Sequence, residues 1–182
     1  MKNTLKKSLT LLTLAAFMMV FASCSKDSSS NNNNGGGITP PITGNYGTIV
    51  LGNQSYTIRI AGYEVYYDED IQANVTSIVL ADGIVSSTQN PNIFGISIPN
   101  CNELTAGNYN YTTQEPAPQG MCRGIFTASN HNVLYCTAGS VTITAHGTNY
   151  KIESEGVASA LNGPMSMDFT VDFNGPIANE TK

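Results

Sequence analysis

Hydrophobic and polar residues alternate along most of the chain after residue 45. In "MSMDFTVDF", Met165, Met167, Phe169, Val171 and Phe173 fall on one side and Ser166, Asp168, Thr170 and Asp172 on the other. A period of two predicts a strand with one face in a core and one in water. "SVTITAHG" repeats the pattern with Val141 and Ile143, turns near Gly147, and resumes in "YKIES" with Tyr150 and Ile152. Those segments predict a meander. Upstream, "QSYTIRIAGYEVYY" alternates through Tyr56, Ile58 and Ile60, then changes phase at Gly62 so that Tyr63, Val65 and Tyr67 carry the next face. A phase change at glycine predicts a bulge or a sharp bend.

"NVTSIVL", "IFGISI", "GNYNYTT", "GIFTAS" and "NVLYCT" predict further strands. Turn signals separate them at Asp82-Gly83, Asn90-Pro91, Ala106-Gly107 and "SNHN". No segment keeps a 3.6-residue period long enough for a helix. The expected fold is all-β: a sandwich or a small barrel of about 8–10 short strands.

The beginning of the chain reads differently. "MKNTLKKSLTLLTLAAFMMVFASC" has Lys2, Lys6 and Lys7, then an apolar run from Leu9 to Ala22. That run is shorter than the roughly 20 residues of a membrane-spanning helix and has the layout of a secretory signal peptide. "FASC" resembles the lipobox of bacterial lipoproteins. The resemblance implies cleavage after residue 23 and acyl chains, palmitate among them, on Cys24. One chain gives reversible membrane binding, whereas two or three hold permanently. Serine at position 25, where many inner-membrane lipoproteins carry aspartate, implies the outer membrane. Lys26-Asp27 is similar to the surface-export signal of Bacteroidetes lipoproteins, with one acid where that pattern has more. The expected location is the outer membrane, either displayed at the surface or facing the periplasm.

Residues 24–44 carry the lipidated cysteine and a Ser/Asn/Gly-rich tether. It lacks the apolar content to bury anything and spans roughly 25 Å as a coil. Residues 45–182 remain for one β domain. Without the lysines of the leader, five Lys+Arg face thirteen Asp+Glu, a net charge of about −8. That balance argues against nucleic acid and against a basic membrane-docking patch.

"GSVTITAHGTNYKIESEGVASALNGPMSMDFTVDFNGPI" and the upstream "LTAGNYNYTT" resemble uncharacterised Bacteroidetes-type outer-membrane lipoproteins. The shared features are turns and core positions. The resemblance implies an antiparallel sandwich or calycin-like barrel and transfers no functional residue.

Candidate chemistry is sparse. His131 sits in "SNHN" and His146 beside a glycine turn, neither with a second ligand at zinc spacing. No Gly-x-Ser-x-Gly turn and no phosphate loop occurs, and no motif implies a cofactor. Asp68, Glu69 and Asp70 could offer oxygens to calcium, with Asp68 and Asp70 the candidate ligands, but Ala73 stands where an EF-hand loop needs glycine. The plainer alternative is a solvated acidic turn. Asp168 and Asp172 read as the wet side of an edge strand.

With Cys24 set aside, Cys101, Cys122 and Cys136 form an odd set. A hairpin turning near Ser129 would place Cys122 opposite Cys136, the expected disulfide, with Cys101 a free thiol or a nucleophile without a neighbouring histidine. Tyr63, Tyr66, Tyr67, Tyr109 and Tyr111 are candidate ligand aromatics, or core. The function expected is a non-enzymatic binding or interaction module, lipid-anchored in the envelope. Its partner would be a glycan, a small apolar ligand or an envelope protein. The alternatives are a structural subunit of a surface assembly and a hydrolase whose catalytic set forms only in three dimensions.

Overall fold

The computed structural model describes residues 43–83, 90–129, 132–161 and 163–180. The leader, Cys24, the tether to residue 42 and His131 lie outside them. The described residues form β1 (Thr43–Leu51), β2 (Gln54–Asp68), β3 (Ala73–Ala81), β4 (Ile93–Pro99) and β5 (Gly107–Tyr111), then β6 (Met121–Thr127), β7 (Val133–His146), β8 (Asn149–Ser159), β9 (Ser166–Pro176) and β10 (Ala178–Asn179). The fold is all-β.

β1, β2, β3, β4, β6, β7, β8 and β9 run as an antiparallel meander in which each pairs with the next. β9 then returns to pair with β1 through Ile49↔Val171. That pairing closes the sheet, so the molecule is a barrel. β5 wedges between β6 and β7 where they diverge, parallel to β6 at Tyr111↔Cys122 and antiparallel to β7 at Asn108↔Thr142. It is the ninth stave. β10 lies parallel to β2 at Ala178↔Gly62, beyond the stretch that β1 occupies. The end at which β1 begins and β9 finishes is called proximal below, and the other distal.

The alternation read in the sequence becomes the inside and outside of the barrel. In β9, Phe169, Val171 and Phe173 are buried and Thr170 and Asp172 exposed. Val141, Ile143 and Ile152 bury on the same inner side. In β2 the phase slips earlier than Gly62. Ile58 and Ala61 belong to the interior core, whereas Ile60 joins Val79, Ala81 and Ile93 in a small cluster on the outer side of β2, β3 and β4.

Several sequence expectations are corrected. "NVLYCT" and "SVTITAHG" are one strand, β7, with a register shift between Cys136 and Ala138. Gly139 follows the bulge at φ 107 and lies directly across from Gly156. A Cβ on either glycine would come within 2.0 Å of the opposing backbone, so the strands bend there only because both side chains are missing. β9 is not an edge strand, since β1 and β8 flank it. Met165 precedes β9 and is 42% exposed rather than core. β1 itself has no counterpart among the expected strands, yet it supplies the closure.

Candidate functional site: a tyrosine collar at the proximal end

A barrel of this size either holds a ligand or fills its interior with side chains. Among the described residues this interior is packed with side chains. Phe94 and Phe126 stack with centroids 4.5 Å apart, and Phe169 meets Phe126 edge-on at 4.9 Å and Tyr111 at 5.8 Å. Arrangements of this kind combine large buried areas with favourable quadrupole geometry. At the distal end a hollow beside Ile49, Leu51, Tyr56 and Phe126 has about 10 Å³ of free space, at most the room of one water.

At the proximal end the chain between β4 and β5 crosses the mouth. Leu104 plugs it and is 6% exposed. The crossing is pinned by Thr76, whose Oγ1 donates to the carbonyls of Cys101 at 3.3 Å and Glu103 at 3.2 Å. Asn74 Nδ2 donates to Asn102 Oδ1 at 2.6 Å.

Around this plug stand half-buried tyrosines from four strands: Tyr46 of β1, Tyr63 of β2, Tyr109 of β5 and Tyr150 of β8. Tyr150 pairs across from Gly175 of β9, and Tyr46 lies over that glycine. A Cβ at Gly175 would come within 2.6 Å of Tyr46 Cδ1, and one at Gly44 within 2.3 Å of its Cζ. The Tyr46 ring therefore sits against two positions that lack side chains, with its edge toward Phe173 at 6.1 Å. Burial raises the Tyr63 phenol above its usual pKa, Tyr150 and Glu103 add to the shift, and a hydrogen bond from Asn179 opposes it. In register, Asn179 of β10 stands beside Tyr63 of β2, and Tyr150 and Glu103 lie close enough to act on the same phenol. Tyr109 donates to the Thr105 carbonyl at 3.3 Å and neighbours the Cys101 thiol.

The tyrosines singled out from sequence separate. Tyr63 and Tyr109 belong to the collar, and Tyr67 extends the inner face of β2 past the rim at 60% exposure. Tyr111 is core, hydrogen-bonded to Ser154. Tyr66 occupies the opposite face of β2; burial pushes its phenol up to about 12, Asp68 and Glu64 add, and Arg123 opposes. Tyr46, Tyr150, Glu103 and Asn179 are site residues that sequence reading missed. Tyr150 did alternate with Ile152, which marked it as inward but not as lying at a strand's rim.

The other candidates do not assemble. In the β2–β3 turn, Asp68 Oδ1 accepts the backbone N–H groups of Asp70 at 2.9 Å and Ile71 at 3.4 Å. That carboxylate closes its own turn. Among the described residues no group of three His, Cys, Asp or Glu side chains is placed to hold a metal. His146 ends β7, exposed and opposite Asn149.

The disulfide expected between Cys122 and Cys136 is corrected. All three cysteines are free thiols. Register places Cys136 across from Gly124, since Ile125 pairs Tyr135, while Cys122 pairs Tyr111 of β5. The two cysteines are thus diagonal neighbours at the fork that β5 opens. Diagonal Cα separations of roughly 7–8 Å exceed disulfide reach.

Compared with protein-family models, with curated proteins and with solved structures, the chain matches none. The collar's own chemistry carries the functional argument. It offers aromatic faces, phenol hydroxyls, the Glu103 carboxylate and the Asn179 amide, held on strands and a pinned crossing. Such a group can stack and hydrogen-bond a partner at the barrel's mouth.

Proposed function

We propose that this protein is a lipid-anchored outer-membrane protein that acts as a non-enzymatic binding module. Acyl chains on Cys24 hold it, and the proximal tyrosine collar meets the partner. The observation that carries the reading is the packed, closed barrel. With Phe94, Phe126, Phe169 and Tyr111 packed inside, the described interior favours packing over carriage of a small apolar ligand, which needs a cavity of a few hundred Å³. Because β9 pairs with β1, the described barrel strands close on one another, which makes strand addition by a neighbouring subunit the less favoured route. Recognition then falls to the outer surface. β1 begins at Thr43, so the tether joins the domain beside Tyr46. The collar stands at the end of the barrel where the chain from Cys24 enters, which favours a partner in the envelope.

The test is retention on separated envelope fractions. Full-length, detergent-solubilised protein is passed over immobilised polysaccharide, lipid and protein fractions. Wild type should be retained on one of them, and a Tyr63→Ala/Tyr150→Ala variant that keeps its β-sheet circular dichroism should not. Equal behaviour of the two proteins on every fraction would remove the reading.

A further inference from the structure

We infer that the collar of Tyr46, Tyr63 and Tyr150, with Glu103 and Asn179, is a saccharide site that takes a neutral oligosaccharide; this rests on the binding-module reading above. A sugar ring presents apolar C–H groups on its faces and hydroxyls around its edge. Its recognition calls for aromatic surface flanked by a few fixed acceptors and donors, and this group supplies both. Tyr46 is braced against Gly44 and Gly175, and Tyr150 stands opposite Gly175. β9 separates their strands, but the Tyr46 ring leans over Gly175 of β9, the residue that pairs with Tyr150, so both tyrosines flank the same side-chain-free position. Asn179 stands in register beside Tyr63, and Glu103, fixed through its backbone by Thr76, faces the same phenol; together they can donate to, and accept from, vicinal hydroxyls.

Rigidity favours such a site, because rings already fixed lose little freedom on binding. Glu103 is held through its backbone by Thr76, and Asn179 belongs to β10 beside β2. Glu103 brings a carboxylate into the cluster, and Glu180, whose backbone N–H donates to the Tyr63 carbonyl at 2.8 Å, brings a second residue of the same charge beside it; such a setting repels uronic or phosphorylated sugars. The commitment is therefore to uncharged chains. An apolar protein segment would be a poorer match, since it leaves the carboxylate and the amide unanswered.

The experiment is an NMR titration of the full-length, detergent-solubilised protein with cellohexaose, maltohexaose, mannohexaose and chitohexaose, and with a galacturonate hexamer as the charged comparison. At least one neutral chain should shift resonances of Tyr46, Tyr63 and Tyr150 below about 5 mM, an affinity ordinary for single-site recognition. Tyr150→Ala should weaken it at least about tenfold, Tyr150→Phe should retain most of it, and Glu103→Gln should weaken it without disturbing the fold. The galacturonate should not bind to wild type. If no neutral chain shifts the collar, or Glu103→Gln and Tyr150→Ala bind as wild type, the saccharide assignment is overturned. Retention of the protein on envelope protein or lipid, with no neutral chain bound, would overturn this inference while leaving the binding-module reading standing. Failure on every fraction would remove both.

Discussion

The hydroxyl of Tyr111 lies 2.6 Å from Ser154 Oγ in the middle of the barrel. Ser154 spends its own proton on the Ser140 carbonyl at 3.0 Å, so Tyr111 is the donor of the pair. The chain Tyr111 to Ser154 to Ser140 satisfies each buried hydroxyl in turn. Tyr111→Phe removes only the first donor and should cost about 1 kcal/mol. Ser154→Ala strands the Tyr111 hydroxyl as well as breaking the second bond, and should cost more, about 1–3 kcal/mol. In the double variant the stranded hydroxyl is gone, so the loss should be smaller than the two single losses combined. Urea unfolding of the variants measures all three; strictly additive costs would show that the hydroxyls act independently.

Tyr46 and Gly175 give a second coupled pair. A methyl at Gly175 meets Tyr46 alone among its nearest atoms, at 2.6 Å from Cδ1, 3.0 Å from Cγ and 3.3 Å from Cβ. Gly175→Ala should therefore destabilise by about 1–3 kcal/mol through overpacking, and should move the Tyr46 ring off the collar. In a Tyr46→Ala background the same methyl faces only a Cβ, so its cost should largely vanish. A Gly175→Ala penalty that is unchanged in that background would place the strain elsewhere.

This pair also shows what was legible in the sequence. Period-two alternation identified most strands, their inner residues and the β-barrel alternative, because a single core face imposes that period wherever a strand is half-buried. It failed on β1, whose inward set is only Ile49 and Leu51 after a glycine-bearing start at Gly44 and Gly47. With β1 unread, neither the closure onto β9 nor the place of Tyr46 could be seen. The split of β7 failed for a related reason. A bulge shifts the phase by one residue, so one strand looks like two. The collar was half legible. Tyr63 and Tyr109 were among the candidates, but Tyr150, Glu103 and Asn179 reach them only through barrel closure and the β4–β5 crossing, which have no local signal.

The anchor makes a prediction independent of the collar. Two or three acyl chains on one residue hold a protein to a membrane far more firmly than one, and the lipobox resemblance assigns them all to Cys24. Cys24→Ala should abolish incorporation of radiolabelled palmitate and release the protein from the membrane pellet. Labelling that persists in the variant would move the modification to another residue or discard it.

The thiols inside the barrel should behave oppositely to an exposed cysteine. Cys122 is fully buried, and burial pushes its pKa from 9.0 to about 12. Cys136 is raised by burial too, with Cys122 adding to the shift. The reactive species is the thiolate, so neither should react with an aromatic disulfide reagent near neutral pH while the fold is intact. Both should react at once in denaturant, without prior reduction. The same shift gives stability a pH dependence with a definite sign. A group whose folded pKa is raised binds its proton more tightly in the fold, so its contribution is complete below pH 9 and is lost as pH rises through about 12. Denaturation midpoints should therefore fall across that interval, and a Cys122→Ala variant, once its own offset is subtracted, should show a shallower decline. Thiols that appear in denaturant only after reduction would mean that the barrel closes a disulfide despite the fork at β5.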